Sequence, residues 1–258
     1  MATVLKLGGE LLEDAAAIRA SAAAIVRLAG REPLVVVHGG GRAIDAELKA
    51  RGLTPRFADG LRITDVATLD SVVAVLAGRT NTALVAAIGA LGVKAVGLTG
   101  ADAGIGLAVK VAPLSTVRGE QVDLGLVGEP RGGDVTLITD LLRLHYVPVI
   151  ASIGVADAGT LLNVNADTFA AHLAASLRAR RLLVAGTTPG VLDGAGSTIA
   201  QVTETDVAEL TSSGTAHSGM VAKLTACRHA RNGGVDEVAI VAGRGVEDFD
   251  HAVGTRVN

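Results

Sequence analysis

Lysines near opposite ends of the chain, an aspartate at a helix start and three glycine clusters are the groups here that could manage a reaction between anions. Lys6 is a lone cation in the apolar run Val4-Leu5-Lys6-Leu7, followed at once by Gly8-Gly9. Desolvating an unpaired ammonium is costly, so a buried strand carries one where something negative meets it. The alternative is an edge-strand lysine that discourages aggregation. Gly8-Gly9, Gly39-Gly40-Gly41 and Gly186 through Gly190 each follow an apolar run. Glycines there let backbone N–H groups approach an anion, and a following helix adds its positive end; one cluster alone equally satisfies the geometry of a strand-to-helix turn.

Lys223 falls about one turn into a helix beginning near Ser218, where the dipole disfavours a cation unless an anion is close or the side chain snorkels to water. Asp167 ends the stretch Leu162-Asn163-Val164-Asn165-Ala166-Asp167. It is either a cap and dipole partner in a first helical turn or part of a polar strand face turning into a helix. Arg62, between Leu61 and Ile63, offers a fork of donors suited to a carboxylate or to an internal ion pair. His38 and His217 lie in glycine-rich or polar loops with no partner that spacing identifies, so neither receives a catalytic role.

Several signatures are missing. There is no Gly-x-x-x-x-Gly-Lys-Ser/Thr loop, no protein-kinase motif set, and no Gly-x-Gly-x-x-Gly after the first strand. If phosphate is handled, dispersed lysines and glycines handle it.

Strand-length apolar runs alternating with helical periods must position these groups, the pattern of successive βαβ units. Strands are expected at 3–7, 34–37, 94–98, 147–150, 181–185 and, closing the chain, 238–241. Helices are expected at 18–29, from Ile44 to Gly52, at 69–76 behind a Thr64 or Asp65 cap, at 135–144, at 166–177 and from Ser218. Thr203-x-x-Asp206 marks the start of a short helix. Between Gly104 and Gly133 short β-like pieces at 107–111, 121–124 and 126–128 suggest a hairpin flap over a site. The expected fold class is α/β, a mostly parallel central sheet sandwiched by helices, with two lobes, 1–178 and 179–258, sharing one sheet.

Hydrophobic residues make up 49% of the 258 and aromatics 2%, so Ala, Val, Leu and Ile must build the core. A net charge of -3 with one Tyr, three Phe and no Trp argues against nucleic acid as a partner. One cysteine, Cys227, excludes an intrachain disulfide and reads as a core residue, and no Cys/His cluster has metal spacing. No signal peptide and no uninterrupted run of about twenty apolar residues is visible, so a cytoplasmic protein without membrane contact is expected.

Lys6-Leu7-Gly8-Gly9, His38-Gly39-Gly40-Gly41, Gly60-Leu61-Arg62-Ile63-Thr64, Asn163-Val164-Asn165-Ala166-Asp167 and Gly219-Met220-x-x-Lys223 occur in an order that resembles the acetylglutamate kinase branch of the amino-acid kinase superfamily. The likeness spans almost the whole chain. It implies transfer of the γ-phosphoryl of ATP, with Mg2+, to the side-chain carboxylate of N-acetyl-L-glutamate. By the same likeness Lys6 and Lys223 contact the transferring group and Asp167 holds the two ammoniums. Gly39, Gly40, Arg62 and Asn163 hold the acid in the first lobe. Gly8 and Gly9 line the phosphates, and Thr187, Thr188, Gly190, Val191, Leu192, Thr215 and His217 meet the nucleotide in the second.

No metal ligand is implied among the side chains. Thr187 stands where many relatives carry aspartate, a departure bearing on nucleotide affinity. The likeness also implies a homodimer, and the short segment ahead of the first strand implies no arginine feedback through an amino-terminal helix. A related N-acylated acid, such as N-acetyl-aminoadipate or N-succinyl-glutamate, or a non-catalytic amino-acid-binding module, remains compatible with these residues.

Overall fold

The computed structural model describes residues 1–116, 119–212 and 218–258. Eight strands form one sheet in the order Gln201–Val202, Gly254–Val257, Glu237–Ala242, Arg181–Gly186, Thr3–Leu7, Leu34–His38, Val147–Ala151 and Ala95–Thr99. The last six run parallel, while Gly254–Val257 lies antiparallel to Glu237–Ala242 and parallel to Gln201–Val202. The run at 238–241 therefore does not close the chain: the backbone turns back through Gly254–Val257 to extend the sheet.

The central strands LVVVH, VPVIA and RLLVAG are buried at every position. A parallel sheet covered on both faces requires that. Alternation along the pleat sends Val4, Val35, Val37 and Val184 to one face and Leu5, Leu7, Val36 and Leu183 to the other. Helices Ala166–Ser176 and Ser218–Asn232 cover the first face through Ala170, Ala174, Leu224 and Cys227; Ala15–Ala29 covers the second through Ala22, Ile25 and Leu28. Each buried Val, Leu or Ile contributes roughly 1.5–3 kcal/mol, and the core is aliphatic as composition requires.

One helix extends beyond what the sequence marks. The period at 69–76 continues as a helical run from Val66 to Ala90, 25 residues, with a π-helical segment Ala74–Thr80 at its middle. By length and composition this run could cross a membrane. It carries Asp70, Arg79 and Asn81, however, and both halves pack inward: Val72, Val75 and Leu76 against Ile44 and Leu48, then Leu84 and Ile88 against the second face of the sheet.

Strands Leu107–Lys110 and Val127–Gly132 pair antiparallel and close a small barrel with Ile153–Val155 and Leu161–Val164. Most of the expected flap is thus a built subdomain; the hairpin proper is Leu114–Ser115 with Gln121–Val122. Backbone bonds from Thr64 to Leu124 and from Leu126 to Thr64 tie this subdomain to the segment that carries Arg62. The capping box at Thr203 and Asp206 forms as its sequence implies: Thr203 N–H donates to Asp206 Oδ2 at 2.7 Å and Asp206 N–H to Thr203 Oγ1 at 3.3 Å.

Candidate active site

Register brings the glycine clusters together. Leu7 lies beside His38 on one side and Ala185 on the other, so Gly8, Gly39 and Gly186 leave the sheet at the same carboxyl edge. That is the edge where open α/β sheets bind ligands. Gly8 N–H donates to Ala185 O at 2.9 Å. A Cβ on Gly9 would lie 2.6 Å from Gly40 Cα and 2.9 Å from the Gly40 and Gly41 nitrogens. Only glycine lets these two turns touch.

Lys6 shares the pleat face of Val4 and so points at helix Ala166–Ser176. Its Nζ sits 2.8 Å from Asp167 Oδ1, with both side chains under a tenth exposed. Lys223 Nζ reaches the other oxygen, Oδ2, at 3.3 Å. One carboxylate thus bridges two ammoniums from remote parts of the chain. Asp167 owes its place to Asn165, whose Oδ1 caps the helix by accepting from the N–H groups of Asp167 and Thr168 at 2.9 and 3.1 Å. Of the three polar side chains at 163, 165 and 167, then, one is a cap and one carries charge.

Burial pushes the Lys6 ammonium below the ordinary lysine range despite Asp167, and the neighbouring Lys223 adds to the drop. For Asp167, burial alone would raise the pKa, but Lys6 and Lys223 together hold it below the usual carboxylate value. Burial also disfavours charge on Lys223, yet Asp167 and Glu10 outweigh it and the ammonium is held above its ordinary value. Lys6, Lys223 and Asp167 form a charge-separated cluster of two cations and one bridging anion.

A cavity of about 400 Å³ opens beside Lys6 and Asp167 and is walled by Gly39, Gly40, Arg62 and Asn163 together with the apolar Ile44, Phe57, Leu76 and Val127. Arg62 lies inside it with its side chain 8% exposed, Nη1 donating to Asp45 at 2.7 Å, Nη2 to Gly41 O at 3.2 Å, and the guanidinium 4.7 Å from the Phe57 ring centre. The internal ion pair and the place in a pocket are therefore both real for this residue. Asn163 donates through Nδ2 to Thr64 Oγ1 at 3.0 Å. The helix Gly41–Ala50 begins at this cavity, and its first N–H groups have no side-chain cap there.

On the far side of Lys223 the loop after Arg181–Gly186 places Thr187 and Thr188 in solvent. Gly190 turns at φ +108 against Thr255, Val191 spends its side chain in the core while its N–H donates to Thr255 Oγ1 at 2.8 Å, and Leu192 bridges Thr198. Thr215 and His217 lie outside the described residues.

Sequence reasoning passed over Glu10. Its carboxylate lies against the Gly8 backbone, where a Cβ would meet Oε1 at 2.5 Å, and near Gly186, where a Cβ would be 3.4 Å from Glu10 Oε1 and 3.7 Å from Lys223 Cε. An acid directly after a glycine pair expected to cradle anions was the available signal. Cys227 is fully buried beneath this cluster and burial raises its thiol pKa, so it is inert packing.

Known proteins resemble this chain over most of its length. A family model described as the amino acid kinase family matches residues 1–242. The acetylglutamate kinase of Bradyrhizobium diazoefficiens is 41% identical over 257 residues, covering 97% of this chain and 85% of the relative. That of Symbiobacterium thermophilum is 40% identical, covering 98% and 90%. Among solved structures, N-acetylglutamate synthase from Neisseria gonorrhoeae with coenzyme A and N-acetyl-glutamate superposes with a TM-score of 0.83 at 24% identity, over 99% of this chain and 59% of that one. The smu.665 protein of Streptococcus mutans superposes at 0.81 and 23%, over 100% and 98%; both support the fold alone.

Proposed function

The chain belongs to the amino acid kinase family, and from that premise we propose that it transfers the γ-phosphoryl group of ATP to the side-chain carboxylate of N-acetyl-L-glutamate, a step of arginine biosynthesis. The observation that carries the reading is the convergence of Lys6 and Lys223 on the two oxygens of Asp167 beside a cavity of amino-acid size. A carboxylate acceptor is already ionised, so no general base is required. The barrier lies in aligning two anions and offsetting the charge between them. Lys6 and Lys223 bring two ammoniums to the junction of the two substrates, with Asp167 between them and Glu10 alongside. Asp167 keeps the lysines from repelling one another and aims both from fixed positions.

In this reading the first lobe, 1–178, holds the acid: Arg62 takes its α-carboxylate, Asn163 meets the acetamido group, and the amides of Gly39 and Gly40 meet the reacting carboxylate. The second lobe, 179–258, holds the nucleotide on Thr187, Thr188, Gly190, Val191 and Leu192, with Gly8 and Gly9 under the phosphates. Among the described residues no three acidic, histidine or cysteine side chains converge into a metal cage. A Mg2+ ion fits here as one carried by the ATP phosphates, with Glu10 the carboxylate beside them. When bound it would neutralise phosphate charge. A homodimer in the cytoplasm belongs to the same reading, and light scattering checks the assembly by returning twice the chain mass.

The test is to incubate the pure protein with ATP, Mg2+, hydroxylamine and each acid in turn. Hydroxamate is expected from N-acetyl-L-glutamate. Product only from N-acetyl-aminoadipate or N-succinyl-glutamate would replace the substrate, and acid binding without product from any of them would leave a binding module.

A further inference from the structure

His38 and Asn81 form a buried relay beneath the glycine loop, and none of the chemistry above uses it. Asn81 opens the second half of the long helix, immediately after the π-helical segment Ala74–Thr80, and is 3% exposed; His38 ends its strand fully buried. Such π segments recur at functional sites because they re-aim the side chains that follow. Here the re-aimed residues converge on one loop. A Cβ on Gly40 would come 2.7 Å from Leu76 Cδ2, and Asn81 reaches over the sheet to three strands at once.

The hydrogen bonds have one consistent assignment. Asn81 Nδ2 lies 2.9 Å from Val149 O, a group that can only accept, so the amide nitrogen must face that way. Its second N–H then points at His38 Nε2, 3.1 Å away, which must be the accepting nitrogen. The ring proton is therefore on Nδ1, which donates to Gly39 O at 3.2 Å. Among the described residues no peptide bond is cis, so the Gly40 N–H points opposite the Gly39 carbonyl in the shared peptide plane. Drawing that carbonyl toward His38 turns the Gly40 N–H away from the sheet and toward the cavity that Gly39 and Gly40 line.

We propose that Asn81 and His38 are positioning residues for the reaction: Asn81 fixes the His38 tautomer, His38 anchors the Gly39 carbonyl, and the Gly40 N–H is thereby held toward the acceptor carboxylate. The proposal rests on the phosphotransferase reading given above for the identity of that carboxylate. Burial keeps His38 neutral, with its pKa lowered to about 4, so the relay is not switched near neutral pH. The packing agrees, since a Cβ on Gly97 would collide with Asn81 Oδ1, and a side chain there would leave the amide no room.

Two substitutions of His38 separate positioning from packing. His38→Gln retains an oxygen acceptor for Asn81 but offers no donor to Gly39. His38→Asn retains an N–H donor near the Nδ1 position and deprives Asn81 of its acceptor. Well below the melting temperature, H38Q is expected to raise KM for N-acetyl-L-glutamate about tenfold and to lower kcat/KM further, with KM for ATP within about twofold, the scale of one lost hydrogen bond. H38N should stay within about threefold of the unaltered enzyme in both, although it is the less stable of the two. Equal losses in both variants that follow their stabilities, or an unchanged acid KM in H38Q, would overturn the assignment.

Should either variant fail to fold, the tautomer of the unaltered protein decides. A long-range proton–nitrogen spectrum is expected to show Nδ1 protonated and Nε2 bare from about pH 5 to 8. A proton on Nε2, or titration in that range, contradicts the relay. A wild-type protein that phosphorylates no acid would instead remove the functional premise, and the spectrum would still report on the hydrogen bonds.

Discussion

Asp167 is an acid that two cations need. With Lys6 at 2.8 Å and Lys223 at 3.3 Å it prevents a like-charge clash in a place almost closed to water. Breaking a buried ion pair by neutralising one partner costs about 3–5 kcal/mol, because the remaining charge is stranded. Asp167→Asn is therefore expected to lower the urea unfolding free energy by that order, whereas Asp140→Asn on the exposed face of its helix should change it by less than about 0.5 kcal/mol. Lys223→Ala is expected to cut turnover by roughly two to three orders of magnitude with a modest change in acid affinity, in line with removal of one preorganised charge at a transition state; unchanged turnover would take Lys223 out of the chemistry. Lys6 stood out because a cation inside an apolar run is locally expensive and Lys223 because a cation near a helix start opposes the dipole, whereas Asp167 is locally favourable as a dipole partner and was marked only by the polar strand face it shares with Asn163 and Asn165. Glu10 was passed over, since a half-exposed acid costs nothing by local rules; its one signal was its place directly after a glycine pair expected to cradle anions, and its distance to Gly186 and Lys223 shows what it faces.

The elements place these groups through register and pleat, and the sequence revealed most of them: continuous apolar strands, the Thr203–Asp206 box and the Asn-rich entry to helix Ala166–Ser176. The second half of the long helix was hidden. Gly78, Arg79, Thr80 and Asn81 read locally as a break, but a π-helical segment carries the backbone through them and turns the apolar stripe from the Ile44 core to the Leu28 core. Where the period shifts in mid-helix, a pattern search stops early. The small barrel was hidden for a related reason, since Leu107–Lys110 and Val127–Gly132 pair across a long insertion that no local period announces. Gly97→Ala tests the element-level packing: its Cβ would strike Asn81, so a loss of roughly 1–3 kcal/mol in unfolding free energy is expected. Gly132→Ala, with nothing near its Cβ position, should be close to neutral.

For the molecule as a whole, pH acts through the same buried groups. His38 binds its proton more weakly folded, at about 4, than unfolded, near 6.5. The unfolded chain therefore takes up more protons between those values, and stability falls as pH drops through that window and then levels for this group. His38→Gln should lack this component, so its unfolding free energy should lose about 3 kcal/mol less than the wild type's between pH 7 and 4. Asp167, depressed by its lysines, contributes stability at neutral pH that is lost as pH falls from the ordinary carboxylate value through its lowered folded one. On the alkaline side, the pH profile of kcat/KM reports the free enzyme, and its falling limb should lie below the ordinary lysine range because burial lowers Lys6. The most direct test of the account is a single-turnover measurement on Lys6→Ala with ATP and N-acetyl-L-glutamate, alongside calorimetric affinities for both. The account requires phosphoryl transfer slowed by about a hundredfold or more while each substrate still binds within about tenfold of the wild type; transfer within a few-fold of the wild-type rate would contradict it.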